Sequence, residues 1–286
     1  GHAGVRWLRE IPRLLGEIEQ AWELRIGSRY ELSYNYVAPA VTGDGLPRVV
    51  KLIVPGALEF DREAAALAGF AGEGAVALLA RDDSRGALLL ERATPGRELA
   101  ELGPGRDAEA TAALCSVMQQ LWREPPAATP LPHVTAYEAD FLAYRRRHPT
   151  GGPLPQDLVD RAMELLGHLS STADRTVLLH ADLHHHNVLQ AEREPWLAID
   201  PHGRVGDPGF DVGPMLYNPV TLTAEQLRLL LSGRLDQLCA GTGLDYDRIV
   251  GWGLVMSIMS EIWSAEEDDE IDGRPLAVAQ MLVSRL

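Results

Sequence analysis

Strand-forming sequence in this chain is confined to two places, and that confinement limits the fold more than any other feature. β-prone residues run from Tyr30 to Pro39, from Arg48 to Val54, over 75–80 and over 86–91. They return only in a short island, Thr176 to Leu179, Asn187 to Leu189 and Trp196 to Ile199, whose segments are each too short for a helix. The remainder reads as helix over 107–123, 135–147, 155–171, 223–239, 245–263 and 275–285, broken by joints such as Pro125-Pro126 and Gly151-Gly152-Pro153. Near the start, Ile11, Leu14, Leu15, Ile18 and Trp22 form an apolar stripe of helical period, which predicts a helix packed on a sheet. Thr42-Gly43-Asp44-Gly45 supplies the positive-φ residues of a hairpin turn, and Pro55-Gly56 breaks the chain before a helix over 58–70. Thr94-Pro95-Gly96 is a natural boundary. The expectation is an α+β chain of two lobes, a small β-rich one over residues 1–93 and a larger α-helical one over 94–286, with no repeat of solenoid period.

Composition narrows the function classes. With 286 residues, 46% of them hydrophobic, the chain is long enough to bury a sizeable core. A formal charge of −15 argues against nucleic-acid binding, which needs clustered Lys and Arg, and is compatible with a cationic small molecule. There is no uninterrupted apolar run of membrane-spanning length and no secretory-signal pattern, so the expected location is the cytoplasm, without a membrane partner. Cys115 and Cys239 lie in apolar-periodic stretches and read as small core residues. Of the 26 basic residues only Lys51 is lysine. A position that keeps an ammonium against so strong an arginine bias is expected to need the compact point charge rather than the planar fork.

The densest polar sequence is His180-Ala181-Asp182-Leu183-His184-His185-His186-Asn187, flanked by apolar β-type residues. An Asp followed five residues later by an Asn, then a short strand pair closing on Ile199-Asp200, can place one acid on a hydroxyl and two hard oxygen ligands on Mg²⁺. Those are the parts of phosphoryl transfer, with Asp182 as base and Asn187 and Asp200 as metal ligands. Lys51, on a predicted strand, and Glu63, on the helix that follows, have the relation of the strand lysine and helix glutamate of protein kinases. An ammonium in an apolar strand needs such a carboxylate. The first lobe is therefore the expected nucleotide-binding lobe.

Other candidates carry weaker signals. The phosphate-covering loop has no Gly-x-Gly-x-x-Gly; between Arg25 and Tyr36, Ser33 is a candidate phosphate donor. Glu91 and Ala93 would offer backbone groups to adenine. Four histidines within seven residues suggest zinc, but neighbouring side chains in an extended loop point apart and the helical H-E-x-x-H spacing is missing. His180 is expected to hold the loop, His184 to His186 to lie near the nucleotide or substrate rim, and His202 is a candidate substrate residue. Asp207-Pro208 has the residues of a helix start, which competes with a substrate role for Asp207. Asp211 is a candidate brace for the catalytic loop. The acidic stretch holding Glu261, Glu267 and Asp268 is either solvated surface or, with the ring of Trp263, a site for cationic groups.

The stretch from Leu178 to Pro219, with His180-Ala181-Asp182, Asn187, Ile199-Asp200 and Gly206-Asp207-Pro208, resembles the aminoglycoside and hydroxyurea antibiotic resistance kinases. Within them it is most similar to the streptomycin 6-phosphotransferase branch (aminoglycoside 6-phosphotransferase). The resemblance extends to the Lys51 strand, to Arg62-Glu63-Ala64-Ala65-Ala66-Leu67 and to the region around Trp263. It implies a protein-kinase-like bilobal fold, ATP (or GTP) with Mg²⁺, and transfer of the γ-phosphoryl group to a ring hydroxyl of a cationic antibiotic, most readily the 6-hydroxyl of streptomycin. It also implies Asp182 as base, Asn187 and Asp200 as metal ligands and Lys51 as phosphate anchor, in a monomer or weak dimer. One departure stands out: Ala181 occupies the position where the family has glycine. The alternatives are a kinase of another aminoglycoside or hydroxylated metabolite, and a catalytically silent nucleotide-binding protein.

Overall fold

Alternation along two strands decides how the smaller lobe is built. The computed structural model describes residues 2–30, 35–54, 56–266 and 268–286. In it α1 (His2–Trp22) leads to β1 (Leu24–Ile26), β2 (Tyr36–Thr42), β3 (Pro47–Leu52), α2 (Leu58–Phe70), β4 (Leu78–Asp82) and β5 (Ala87–Glu91). The strands form one antiparallel sheet in the order β1-β2-β3-β5-β4. Val50 and Leu52 of β3 and Ala87 and Leu89 of β5 join a core with Trp7, Ile11, Leu14 and Ile18 of α1. Leu88 and Leu90, with Ile53, belong to the opposite core, shared with α2 and the larger lobe. Successive strand residues face opposite sides, so Lys51, which pairs in register with Leu88, is carried on the inner face. The hairpin of β2 and β3 turns at residues 43–46. β2 begins later than the sequence suggests and also runs later, to Thr42. β1 is unanticipated, because three residues between a helix and a turn carry no periodicity.

The larger lobe runs β6 (Pro95–Glu98), α3 (Asp107–Leu121), α4 (Glu138–Arg147), α5 (Gln156–Ser171), β7 (Val177–Leu179), β8 (Val188–Ala191), β9 (Trp196–Ala198), β10 (Arg204–Gly206), α6 (Gly213–Leu216), α7 (Ala224–Thr242), α8 (Tyr246–Ser264) and α9 (Arg274–Val283). The expected helix over 135–147 is split, its first turn being a 3₁₀ segment, Val134–Tyr137. α7 starts with a capping box between Thr223 and Gln226 and stops at Gly243 in the left-handed region. α8 is buried on every side through most of its length, as expected of a central helix. Its Gly253 admits the Leu216 side chain, which would lie 2.6 Å from a Cβ there.

The island strands do not form a single sheet. β8 pairs with β9 and with β6, while β7 pairs with β10. In the larger lobe, β6 and β10 are the two strands the sequence hides. One glycine sets the approach of the lobes. At Gly203 (φ +66) a Cβ would stand 2.7 Å from the carbonyl oxygen of Arg62 on α2, so the loop after Asp200 runs directly against the helix that carries Glu63.

Candidate active site

β3, α2 and the β7–β10 island converge on one cleft of ≈1010 Å³, lined among others by Lys51, Glu63, Asp182, Asn187 and Asp200. Three stretches far apart in the chain thus bring together the five side chains on which the sequence reading rests. Lys51 Nζ donates to Glu63 at 2.8 Å and to Asp200 Oδ1 at 3.0 Å. Lys51 and Glu63 are both buried, whereas 44% of the Asp200 side chain is exposed to the cleft. Burial opposes charge on Lys51, but Glu63 and then Asp200 outweigh it, so its pKa is raised and it remains an ammonium. Burial pushes the Glu63 carboxyl up, to about 7, against the pull of Lys51 and with a further push from Asp200.

The loop after β7 is braced from behind. The buried Asp211 carboxylate accepts from the backbone N–H of His180 at 3.1 Å and of Ala181 at 2.7 Å, and from Trp122 Nε1 at 3.1 Å. Burial pushes Asp211 up, to about 6, against these three donors. His180 is fully buried; its Nε2 donates to the Ile199 carbonyl at 2.8 Å and its Nδ1 accepts from the Asp182 N–H at 3.3 Å. That pairing requires the neutral ring, and burial lowers its pKa to about 4. Ala181 adopts φ +67, a left-handed conformation that glycine tolerates better.

Asp182 ends this construction with 29% of its side chain open to the cleft. Burial works against its charge, but His184 (3.5 Å) and His202 (3.7 Å) offset it, and its pKa is lowered. It is an ionised acceptor at neutral pH. Asn187 Nδ2 donates to the Asp182 backbone carbonyl at 2.9 Å and to its carboxylate at 3.2 Å. This fixes which end of the amide is nitrogen and leaves the oxygen as the end that can meet a cation. An amide oxygen and a partly exposed carboxylate are the hard, sparse donor set that suits Mg²⁺ shared with phosphates.

The remaining candidates separate. His202 and Trp263 line the cleft. Ser33 and Glu267 lie outside the described residues. The Glu91 carboxylate is tied to the Ala77 N–H and to Arg193, and its own N–H donates to the Ala77 carbonyl, so toward a nucleotide it has its carbonyl to offer. Ala93 packs at the edge of the shared core. His184, His185 and His186 diverge: the first faces Asp182, the second is buried, and the third bonds Glu98 at 2.7 Å.

Three acidic residues do not reach the cleft. Asp207 is buried, caps the 3₁₀ turn Pro208–Val212 through the Gly209 N–H, and sits 2.7 Å from Arg248. Glu261 is also buried; its carboxylate accepts the backbone N–H groups of Asp272, Gly273 and Leu276 and so caps the start of α9. Asp268 is exposed and bonds the Glu270 N–H. For Asp207 and Glu261 the substrate role considered gives way to these structural ones. In their place the cleft presents Tyr137, Asp140 and Arg204, which the sequence reading missed. Tyr137 and Asp140, three apart in a predicted helix, shared a visible face; nothing in the sequence marked Arg204.

The match to known proteins agrees with this geometry. Residues 33–268 match the family model of the aminoglycoside/hydroxyurea antibiotic resistance kinases. The chain is 33% identical to streptomycin 6-kinase of Streptomyces griseus, over 99% of this chain and 92% of that protein. It is also 33% identical to hydroxyurea phosphotransferase of Kitasatospora aureofaciens, over 100% and 82%. Among solved structures it is similar in fold to choline kinase LicA from Streptococcus pneumoniae (TM-score 0.66, 13% identity, 96% of this chain and 98% of that one). A thermostable mutant of aminoglycoside phosphotransferase APH(4)-Ia, in ternary complex with ADP and hygromycin B, is similar as well (TM-score 0.65, 15% identity, 94% and 97%). The fold is the protein-kinase-like one, with a β-rich and a helical lobe, and the chain belongs to the aminoglycoside/hydroxyurea antibiotic resistance kinase family as a small-molecule kinase.

Proposed function

We propose that the protein transfers the γ-phosphoryl group of ATP to a hydroxyl of an aminoglycoside, with the 6-hydroxyl of streptomycin as the leading acceptor. The observation that carries this reading is the meeting of Lys51, Asp182, Asn187 and Asp200 in one cleft. Support for the acceptor comes from the streptomycin 6-kinase relative. Support for ATP comes from neighbours of this fold solved with AMP, ADP and AMP-PNP. The nucleotide would lie along residues 1–93, with adenine at the carbonyl of Glu91 and the backbone of Ala93, and the acceptor against residues 94–286.

Asn187 and Asp200 would hold Mg²⁺. When bound, the ion neutralises charge on the phosphates of the nucleotide. Lys51, held by Glu63, would draw the same phosphates into line. Asp182 accepts a hydrogen bond from the acceptor hydroxyl and orients a lone pair at the γ-phosphorus. As the new O–P bond forms and the bond to the β-phosphate oxygen breaks, the hydroxyl proton passes to Asp182 and ADP leaves. Asp140 and the Trp263 ring, both in the cleft, suit a cationic acceptor.

A second acceptor is favoured by a specific observation, the equal identity to hydroxyurea phosphotransferase. Incubation with Mg·ATP and streptomycin, or hydroxyurea, followed by mass spectrometry, separates the two. One added phosphate on streptomycin is the expected result; phosphate on hydroxyurea alone moves the assignment, and no acceptor-dependent ADP release with either rejects both.

A further inference from the structure

Arg204 is the first residue of β10, buried to 8% exposure at the wall of the cleft. Among the described residues it forms no ion pair, and its Nε and Nη1 have no hydrogen-bond partner. It is held by stacking instead: its Cζ lies 4.5 Å from the centre of the Tyr137 ring. That ring is fixed in turn by Phe210, parallel at 5.6 Å, and by Trp263 at 5.4 Å. A buried guanidinium with no carboxylate partner and two unsatisfied donors is costly to keep, and the other buried arginine among the described residues does not bear that cost. Arg234 spends its donors on Asp107 and on the carbonyls of Met215 and Asn218.

Because a ring face holds a cation without fixing its in-plane orientation, Arg204 can slide along Tyr137 toward an oxygen that enters the cleft. We propose that Arg204 is a specificity-determining residue that donates hydrogen bonds to an oxygen of the acceptor, a carbonyl or carboxylate carried by the same molecule as the phosphorylated hydroxyl. This rests on the reading of the cleft as a kinase acceptor site and deepens it. The cleft sorts the acceptor by charge, receiving cationic groups at Asp140 and Trp263 and an uncharged or anionic oxygen at Arg204. A molecule with ammonium groups at every edge is repelled at that wall, whereas hydroxyurea presents a carbonyl beside its hydroxyl.

The test compares wild type, Arg204→Met and Arg204→Lys. Steady-state rates with Mg·ATP and either hydroxyurea or streptomycin should show the acceptor KM raised about 10- to 100-fold in Arg204→Met. The KM for ATP should stay within about twofold, and Arg204→Lys should recover part of the loss. An unchanged acceptor KM overturns the proposal, as does a rise confined to the KM for ATP, which would assign Arg204 to the nucleotide phosphates. Thermal melting of the free proteins adds a readout that needs no acceptor. Arg204→Met should melt at or above the wild-type temperature, since it removes an unpaired buried charge; a fall of about 4 °C or more marks a structural residue and overturns the proposal. If wild type turns over neither acceptor, the acceptor assignment falls by itself and the melting result decides Arg204.

Discussion

Lys51, in the smaller lobe, is 3% exposed and sits between two carboxylates, whereas Asp182, in the larger lobe, keeps 29% of its side chain open and stands on a loop secured from behind. The ammonium is held by charge, through Glu63 and Asp200. The carboxylate is held by hydrogen bonds from its backbone to buried groups, His180 directly and Asp211 through the two preceding residues. The difference matches the roles proposed for the two groups. A phosphate anchor keeps one charge and can be gripped by its charged end. A base must leave room at its carboxylate for the acceptor, so the protein grips chiefly the backbone beneath it and touches the carboxylate with a single amide hydrogen bond, from Asn187.

The largest expected effect tests the open half. Asp182→Ala should lower kcat by about 10³-fold while the affinity for Mg·ATP, measured by calorimetry, changes little, because the brace beneath the loop is untouched. Full turnover in that variant would end the assignment of Asp182 as the base.

The next effect sharpens the contrast through pH, since the two halves carry opposite linkages. Glu63 is raised from 4.5 to about 7 in the fold, so the folded protein binds its proton more tightly and stability falls as pH rises from about 4.5 to 7. His180 is lowered from 6.5 to about 4, so the unfolded chain binds that proton more tightly and stability falls as pH drops from about 6.5 to 4. Each contribution is roughly 3 kcal/mol across its window. In urea unfolding at pH 4.5 and pH 7, Glu63→Gln should gain relative to wild type at the higher pH and His180→Gln at the lower. Shifts of the same sign in both variants would erase the comparison.

The smallest effect concerns the one strained residue of the brace. Ala181 stands at φ +67, so Ala181→Gly should stabilise the fold by about 0.5–1 kcal/mol, the relief of the left-handed alanine exceeding the added entropy of an unfolded glycine. A loss of stability on denaturant unfolding would show that the methyl group, buried in the core, contributes more than its backbone strain costs.

Much of this arrangement was legible in the chain itself. The β-prone run around Lys51 marked its strand and put Glu63 on the helix that follows, and apolar periodicity placed α2, α5, α7 and α8 within a few residues of their ends. The intervals from Asp182 to Asn187 and on to Asp200 implied the polar loop, because such chemistry depends on short-range order. What only the tertiary structure decided was the lining of the other wall. Glu261 sits in an acidic run that reads as surface, yet α8 is buried on all sides and brings that carboxylate to the start of α9, where three N–H groups need an acceptor. Arg204 stands in a three-residue strand with no pattern of its own and meets Tyr137 across 67 residues of chain because β10, paired with β7 on one side, is bridged through Val205 to His133 on the other. Local sequence sets which way a side chain points from its own element; which elements face one another is settled by burial over the whole chain, and that cannot be read from any single stretch.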